Sequence, residues 1–284
     1  MVEKCSDCGE TLPAAERSCV VCGKDAGFPN VRRANRTEEV DALRQRKDDA
    51  YAASKLRGDD GKLREFELTV QSSKAVMNRS LGALDNWVQE ATPLFVAFHK
   101  HVRSGARVVL SDDQWDELRI AAESTVNPFY FEDLNISALA IDGIGMPHYG
   151  PYSVTLKSSL IQARSSVFEE NPFLFHRRHF VMAGDKCPPG YRAEWSRRSD
   201  LAVAKLHAKV TKDIALHQFP GILLEIASAG TGNDDFVEVH TYGPLHHLTI
   251  EHVRGPKPKD RYDRALWKKV QKRLTKLGAT WDEV

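Results

Sequence analysis

The sequence lacks any long uncharged segment. The longest stretch without Asp, Glu, Lys or Arg runs only from Gly143 to Leu156 and is interrupted by proline. A membrane-spanning helix needs about 20 predominantly apolar residues, so none is predicted. The N-terminal residues also lack the apolar core of a secretory signal peptide. We therefore expect a cytoplasmic protein without a membrane partner.

Several common catalytic motifs are absent as well. The sequence contains no GxxxxGK[ST] phosphate-binding loop, no GxGxxG turn, no HExxH helix and no GxSxG nucleophile elbow. It also lacks the HxE…PCxxC pattern of zinc deaminases, because Cys187 has no partner at that spacing. These absences argue against P-loop nucleotide hydrolysis, zinc proteolysis or deamination, and ordinary serine hydrolase chemistry.

The composition is that of a folded globular protein. Among 284 residues, 42% are apolar and 28% are charged, and 40 Lys and Arg nearly balance 39 Asp and Glu. This composition excludes a largely disordered or collagen-like chain. The length suggests about two domains.

Four of the five cysteines lie within the first 22 residues. They form two pairs, Cys5-x2-Cys8 and Cys19-x2-Cys22, separated by ten residues. A disulfide framework would spread its cysteines along the chain, whereas two such pairs can place four thiolates at the corners of a tetrahedron, which suits Zn²⁺. Gly9 and Gly23 follow the pairs and allow tight turns. We predict a zinc ribbon over residues 1–28 with structural Zn²⁺; a redox-active CxxC is the alternative.

Residues 29–125 have the pattern of a helical linker or helical region. Helix-forming residues run from about Thr37 to Arg57, and a second helical stretch is predicted from about Leu63 to Arg103, broken or kinked at Thr92-Pro93. The capping-box pattern Ser111-x-x-Gln114 predicts a third helix that stops before Asn127-Pro128.

Short apolar or alternating segments replace this pattern after Pro128. A helix is predicted over about Ser199–Val210, and a basic helix over about Asp260–Leu277 ends at Gly278. Few crossover helices separate the predicted strands, so residues 126–284 are expected to form an α+β sheet domain. The fold class is α+β. The predicted strands are Ser137–Ile141, Tyr152–Leu156, Phe180–Met182, Ile222–Ile226, Phe236–His240 and Leu248–Val253.

Two segments of this domain concentrate polar side chains, namely Met146–Leu156 with Ala163–Asn171, and Asp234–Leu245. Their sequence resembles the ADP-ribosyltransferase toxin fold. The resemblance rests on a Tyr-Gly turn before a strand, an Arg-Ser-Ser strand and a later strand with an acidic residue, Glu-x-His and Gly-Pro-Leu. It covers at most residues 128–255. The chain departs from the best-known forms in lacking a His-Gly-Thr opening and in carrying His240 where those forms have Glu or Gln.

The resemblance implies transfer of ADP-ribose from NAD to a nucleic-acid or protein acceptor, as a bacterial toxin or anti-phage effector with a possible antitoxin. It also implies that His148 or Tyr149 contacts the adenosine ribose or nicotinamide, that Arg164 binds a phosphate, and that Ser165 or Ser166 positions Glu238.

Glu238 is the candidate catalytic residue on chemical grounds. Cleavage of the nicotinamide–ribose bond builds positive charge on the ribose, and a fixed carboxylate stabilises that charge. Strand alternation places Glu238 on one face with Phe236 and His240. The alternatives are a solvated strand carboxylate at Glu238, a plain turn at His148–Pro151 and a surface charge at Arg164. A metal site formed by His240, His246, His247 and His252 is a further alternative.

Local basic segments favour a second class of function. From Arg254 to Lys276, ten basic residues stand against Asp260 and Asp263, and a second basic segment covers residues 176–198. Such segments can neutralise phosphates, so the alternative function is a non-catalytic, zinc-dependent nucleic-acid- or protein-binding module. The C-terminal helix can equally be a solvated amphipathic helix. Its core residues would then be Leu266, Val270, Leu274 and Leu277.

Overall fold

A large mixed sheet organises the chain. The computed structural model describes residues 3–91, 94–103, 114–182, 184–227 and 234–284. Within these ranges the protein has eleven α-helices and twelve β-strands, which makes it an α+β protein.

The helices are α1 (Pro29–Ala34), α2 (Thr37–Arg57), α3 (Asp60–Gln71), α4 (Leu81–Trp87), α5 (Phe98–Arg103), α6 (Gln114–Val126), α7 (Ser158–Ile161), α8 (Pro172–His179), α9 (Arg198–Leu206), α10 (Phe219–Leu223) and α11 (Arg261–Lys276). The strands are β1 (Lys74–Arg79), β2 (Leu94–Phe95), β3 (Leu134–Ala140), β4 (Tyr152–Leu156), β5 (Ser165–Phe168), β6 (Arg192–Glu194), β7 (Leu224–Glu225), β8 (Asp235–Phe236), β9 (Glu238–Tyr242), β10 (Leu245–His246), β11 (Ile250–Gly255) and β12 (Thr280–Glu283).

Eight of these strands form the main sheet in the order β12-β11-β4-β1-β3-β9-β5-β6. Its pairs are antiparallel except β11 with β12, which are parallel. β1 therefore lies between β3 and β4, although it precedes both in the chain.

The first 28 residues form two small knuckles of similar geometry. In each knuckle a backbone N–H of the glycine bonds back to the first cysteine, Gly9 to Cys5 at 3.0 Å and Gly23 to Cys19 at 2.9 Å. Both glycines adopt left-handed backbone angles, φ 74° and 73°. These angles confirm the predicted tight turns. Glycine suits both positions, because only glycine takes this conformation without steric cost.

One face of the sheet packs on the main hydrophobic core. Met77, Val154 and Val239 point from neighbouring strands toward this core, where residues of α2, α3, α4, α9 and α11 cover them. In α11, Val270 and Leu274 are fully buried, while Leu266 and Leu277 pack against the same core. The amphipathic interpretation of the C-terminal helix is therefore confirmed. Asp260 caps the helix, and Gly278 takes the left-handed conformation just after it.

The opposite face of the sheet carries mostly polar side chains. Because cross-strand partners share a face, Glu238 lies beside Ala138 of β3 and Phe168 of β5. Phe168 packs with Val126 and Phe175, which joins this face to α6 and α8. The face is thus covered by helices as well, and the small side chain of Ala138 leaves space beside Glu238.

The helical stretch predicted from about Leu63 to Arg103 is wrong at residues 74–79, which form β1, and at residues 94–95, which form β2. The central residues of β1 are buried on both faces of the sheet, so apolar side chains follow one another and the alternation that identifies a strand is missing. Residues of the predicted helical region and of the predicted sheet domain consequently form one sheet. The proposed break at Thr92-Pro93 and the cap at Ser111 lie outside the described residues.

Some other boundaries agree closely with the sequence, but the first two residues of the predicted strand Ile222–Ile226 lie in α10. The structure has the predicted helix Thr37–Arg57 and strand Tyr152–Leu156 with the same ends. The helix α2 packs against α9, so it is part of the fold and not a free linker. No strand forms over Phe180–Met182, where Phe180 has a positive φ and a solvent-exposed side chain.

Candidate functional site

The four N-terminal cysteines converge on one point. Their Sγ atoms all lie within 4.8 Å of one another. The Cys5–Cys22 and Cys8–Cys19 sulfur distances are both 3.6 Å. Four sulfurs bound tetrahedrally to zinc at about 2.3 Å would be about 3.8 Å apart. The cluster therefore could hold a metal ion such as zinc.

Backbone hydrogen bonds favour the thiolate form at all four sulfurs, but burial and neighbouring thiols raise the pKa of Cys8 and Cys22, so the pKa is lowered only at Cys5 and Cys19. Hydrogen bonds from the backbone of Cys8 and Asp7 lower the pKa of Cys5. Hydrogen bonds from the backbone of Cys22 and Val21 lower the pKa of Cys19 to about 7. Thiolates are the metal-binding form of cysteine, so the knuckle backbone prepares the cluster for a cation.

A cleft of about 540 Å³ opens on the polar face of the sheet. Its floor comes from β1, β3 and the start of β9, and its walls come from α5, α6, α8 and the turn after Met146. A volume of this size is typical of small-molecule sites. The aromatic residues that line it are Phe95, Phe98, Tyr149, Phe173 and Phe236.

Glu238 lies at the floor of this cleft. Its residue is only 4% exposed, so the alternative of a solvated strand carboxylate is wrong. His240 lies two residues later on the same strand face, and its Nε2 is 2.8 Å from Oε2 of Glu238. The predicted sharing of one strand face by Glu238 and His240 is therefore confirmed.

A chain of buried polar groups fixes the tautomer of His240. Arg192 donates to Oδ1 of Asn127 at 3.2 Å, and its Nε lies 3.2 Å from the Glu39 carboxylate. Because arginine can only donate, the amide of Asn127 must present its NH₂ group to Nδ1 of His240, 3.4 Å away. His240 then carries a proton on Nε2 and donates it to Oε2 of Glu238.

A second buried carboxylate lines the same cleft. Glu123 lies on α6, and its Oε2 is 2.6 Å from Nε2 of His99 on α5. Both residues are buried. The rings of Phe98 and Phe131 meet the His99 ring edge to face, at 5.2 and 4.9 Å, and restrict its orientation. Each carboxylate of the cleft is thus held by its own histidine.

Among the described residues that line the cleft, Arg79 carries the only positive charge. It stands at the end of β1, where its guanidinium lies 4.6 Å above the Phe95 ring and donates to the carbonyl of Asn78 at 2.7 Å. The stacking holds the guanidinium at the end of β1.

Asn78 stabilises the turn that carries Tyr149 through hydrogen bonds. Its Oδ1 accepts from the N–H of Met146 at 2.6 Å, and its Nδ2 donates to the carbonyls of Ile144 and Gly150 at 3.1 and 3.3 Å. At Gly150, φ is 147° and a Cβ atom would collide with the backbone of Arg79. Glycine therefore lets the turn approach β1 and place Tyr149, 45% exposed, at the cleft.

The other predicted NAD-binding residues lie elsewhere. His148 is exposed on the same turn and does not line the cleft, and Arg164 donates to the carbonyls of Tyr242 and Pro244 at 2.7 and 2.8 Å. The Ser165 hydroxyl pairs with that of Thr241 at 2.9 Å, while Ser166 Oγ accepts from Asn30 at 3.1 Å. The structure therefore brings Glu238 and Tyr149 together in the cleft, but not the other four.

Sequence reasoning missed Arg79, Glu123, His99 and Asn127. No short motif connects them to Glu238, so no sequence signal was available apart from the Glu238-x-His240 alternation.

Within the ranges that the structure describes, the cysteine cluster is the only group of side chains that could hold a metal, so the alternative of a metal site formed by histidines is unsupported. His252 instead approaches Asp282 at 2.6 Å.

Some basic side chains of helix α11 pair with an acidic residue, and others are exposed to solvent. Arg273 pairs with Asp85 of α4 at 2.7 Å, and Lys269 lies 3.5 Å from the same carboxylate. Lys268 and Lys272, one turn apart, are exposed to solvent.

None of the described helices has the length and apolar character needed to cross a bilayer.

No family model matches the chain. No curated protein matches it either.

Proposed function

We propose that the cleft cleaves the nicotinamide–ribose bond of NAD and transfers ADP-ribose to a nucleic-acid or protein acceptor, in an ADP-ribosyltransferase-like domain. The observation that carries this proposal is the buried Glu238 carboxylate, held by His240 at the floor of a cleft of about 540 Å³. A charged group fixed in a partly enclosed site is the feature that an oxocarbenium-like ribose requires.

Glu238 stabilises the positive charge that develops on the ribose as the bond to nicotinamide breaks. His240 supports this role by donating its Nε2 proton to the carboxylate, which fixes the direction of the Glu238 side chain. Asn127 and Arg192 hold the tautomer of His240 and act as positioning residues.

The cleft also offers groups for the rest of the NAD molecule. Arg79 lines the cleft and is our candidate for binding the diphosphate, a role that the sequence resemblance gives to Arg164. Tyr149 and Phe173 provide aromatic surfaces for the nicotinamide or adenine ring.

We propose that Cys5, Cys8, Cys19 and Cys22 bind a structural Zn²⁺. Two sulfur–sulfur distances of 3.6 Å suit tetrahedral coordination, and four cysteine ligands leave no position for a substrate. The metal would supply folding free energy to the ribbon and no chemistry to the cleft.

ADP-ribosylation of a nucleic acid or an essential protein would halt the cell in which it occurs. We therefore propose that the protein acts in the cytoplasm as a toxin or anti-phage effector.

Incubation of the purified protein with total cell extract and NAD labelled in its adenylate phosphate tests the proposal. Glu238→Gln keeps the shape of the side chain and removes its charge. Loss of one such group typically lowers the rate about 10²–10³-fold. NAD binding should change little, because the interaction strengthens mainly in the transition state.

Glu251→Gln is the matched control, because Glu251 is half exposed on β11 and pairs with Lys74 at 2.9 Å, away from the cleft. This variant should keep the wild-type rate. Full NAD turnover by Glu238→Gln would contradict the assignment, and the absence of NAD turnover by the wild type would contradict the proposed function.

The exposed Lys268 and Lys272 of α11 favour one second candidate, a nucleic-acid-binding module without catalysis. In that case the protein binds nucleic acid with a steep salt dependence and leaves NAD intact.

A further inference from the structure

The cleft holds two carboxylates on different structural elements. Glu238 belongs to the sheet floor, and Glu123 belongs to the helix α6 above it. Among the described residues lining the cleft, these are the only acidic side chains. Enzymes that break glycosidic bonds commonly divide their chemistry between two such carboxylates, one acting on the sugar and one on the incoming nucleophile.

We infer that Glu123 is the general base that activates the acceptor, and that the acceptor reacts through a neutral group that must lose a proton, such as a hydroxyl. This inference rests on the proposed function. An acceptor that is already anionic, such as a phosphate or carboxylate, would need no base and would gain nothing from Glu123.

Burial and orientation support this role. Glu123 is 6% exposed and lines the cleft together with Glu238. His99 holds Oε2 at 2.6 Å and is itself confined by Phe98 and Phe131. A general base needs this fixed orientation, because proton transfer requires hydrogen-bond reach to the reacting group.

The transfer step balances as follows. The acceptor oxygen forms a bond to C1 of the nicotinamide ribose, and the bond from this carbon to the nicotinamide nitrogen breaks. The electron pair of the broken bond stays on nicotinamide, which leaves neutral. The acceptor proton passes to Glu123 and then to solvent, while Glu238 stabilises the charge on the ribose throughout.

Glu170 and Glu251 are less suited to this task. Glu170 is buried against Arg178 and His179, and Glu251 pairs with Lys74; neither lines the cleft. Glu123 is the carboxylate that the fold brings into the same space as Glu238.

Chemical rescue tests the inference. Azide is a nucleophile without a proton to lose, so it needs no general base. Glu123→Ala should lower NAD cleavage at least about 10²-fold, within the range typical of general-base catalysis. Added sodium azide should restore cleavage and yield ADP-ribosyl azide, detected by mass spectrometry. Glu238→Ala should not be rescued, because azide does not replace the group that stabilises the ribose.

A second variant and a control keep the result interpretable. Glu123→Gln preserves the shape of the side chain and a partner for His99, so it tests the base even where Glu123→Ala fails to fold. Glu132→Ala removes a half-exposed carboxylate that pairs with Arg103 at 2.9 Å and does not line the cleft, so it should keep the wild-type rate.

The outcomes are distinct. Unimpaired Glu123 variants, or impaired variants that azide does not rescue, overturn the role of Glu123 while the proposed function stands. A wild-type protein that never cleaves NAD overturns the proposed function and this role together.

Discussion

The side-chain amide of Asn30 donates a 2.9 Å hydrogen bond to the main-chain carbonyl of His240, 210 residues away. The same amide also reaches Ser166 Oγ at 3.1 Å and the carbonyl of Arg164 at 3.2 Å. Asn30 lies in α1, directly after the cysteine-rich segment. One buried side chain therefore connects that segment to the strand that carries Glu238.

Further contacts join the ribbon to the sheet. The Tyr242 hydroxyl donates to the carbonyl of Ala15 at 3.4 Å, and the Tyr242 ring lies 5.8 Å from that of Phe28. Arg32 donates to the carbonyl of Pro13 at 3.0 Å. The ribbon thus packs on the end of β9 and does not extend freely from the domain.

Metal removal should unfold the ribbon selectively. We expect about one Zn²⁺ per chain, lost on chelation or in Cys19→Ser, because zinc binding supplies the folding free energy of so small a module. Hydrogen exchange should then show loss of protection in residues 3–28, with β1, β3 and β4 still protected. Cys187→Ser is the control and should retain the metal. Protein purified under reducing conditions without zinc would contradict the prediction.

Stability should fall between about pH 4.5 and pH 7 because of Glu170. Burial raises the pKa of this carboxyl from its ordinary 4.5 to about 7, against the opposing charges of Lys205 and Arg178. Between these values the folded protein keeps a proton that the unfolded chain releases, so the free energy of unfolding decreases as pH rises, by up to about 3 kcal/mol.

Urea unfolding of the wild type and of Glu170→Gln at pH 5 and pH 7.5 measures this effect. The variant cannot titrate, so the stability difference between the two proteins should change with pH. Glu225→Gln, which removes an exposed partner of Lys209, should show the wild-type pH dependence. A difference between wild type and Glu170→Gln that is constant with pH would contradict the assigned pKa.

Gly150→Ala should displace the turn that carries Tyr149. The left-handed φ and the nearby Arg79 backbone make a Cβ atom costly, by about 1–3 kcal/mol. We expect a lower melting temperature and weaker NAD binding. Gly82→Ala in α4 meets open space and should be neutral or slightly stabilising. Equal melting temperatures for the two variants would show that the turn is not strained.

Charge reversal on α11 should affect nucleic-acid binding without affecting the fold. Lys268 and Lys272 are exposed, so reversing both to Glu should change the free energy of unfolding by no more than about 0.5 kcal/mol each. If these lysines contact phosphates, the affinity for nucleic acid should fall for all base sequences. The slope of log affinity against log salt concentration should become shallower by the contribution of about two phosphate contacts. Lys55→Glu on α2 is the control. Unchanged binding by the double variant would assign both lysines to a solvated face.

The sequence predicts elements well where local signals mark their ends. Helix α2 ends before Gly58 in a left-handed cap, and β4 begins after Gly150-Pro151, so both elements were found with the correct bounds. β1 has no such signal, because both its faces are buried and its apolar residues follow one another.

Local sequence signals also decide which parts of the cysteine cluster and the cleft can be predicted. The cysteine cluster follows from spacing within 22 residues, and the Glu238–His240 contact follows from strand alternation. Glu123 and His99 lie on separate helices, 24 residues apart, and Glu123 lines the same cleft as Glu238 only after the chain has folded. Arg79 enters the cleft because β1 pairs with β3 and β4, a pairing that no local pattern specifies.

The central position of β1 has a consequence for how this protein is made. During synthesis, residues 74–79 leave the ribosome long before residues 134–140 and 152–156, which must pair with their two edges. Until β3 and β4 have been synthesised, both edges of β1 lack hydrogen-bonding partners, and unpaired strand edges are templates for aggregation. A nascent chain halted before residue 134 is therefore a natural client for a chaperone. A cut near residue 125 would separate the middle strand of the sheet from both of its neighbours.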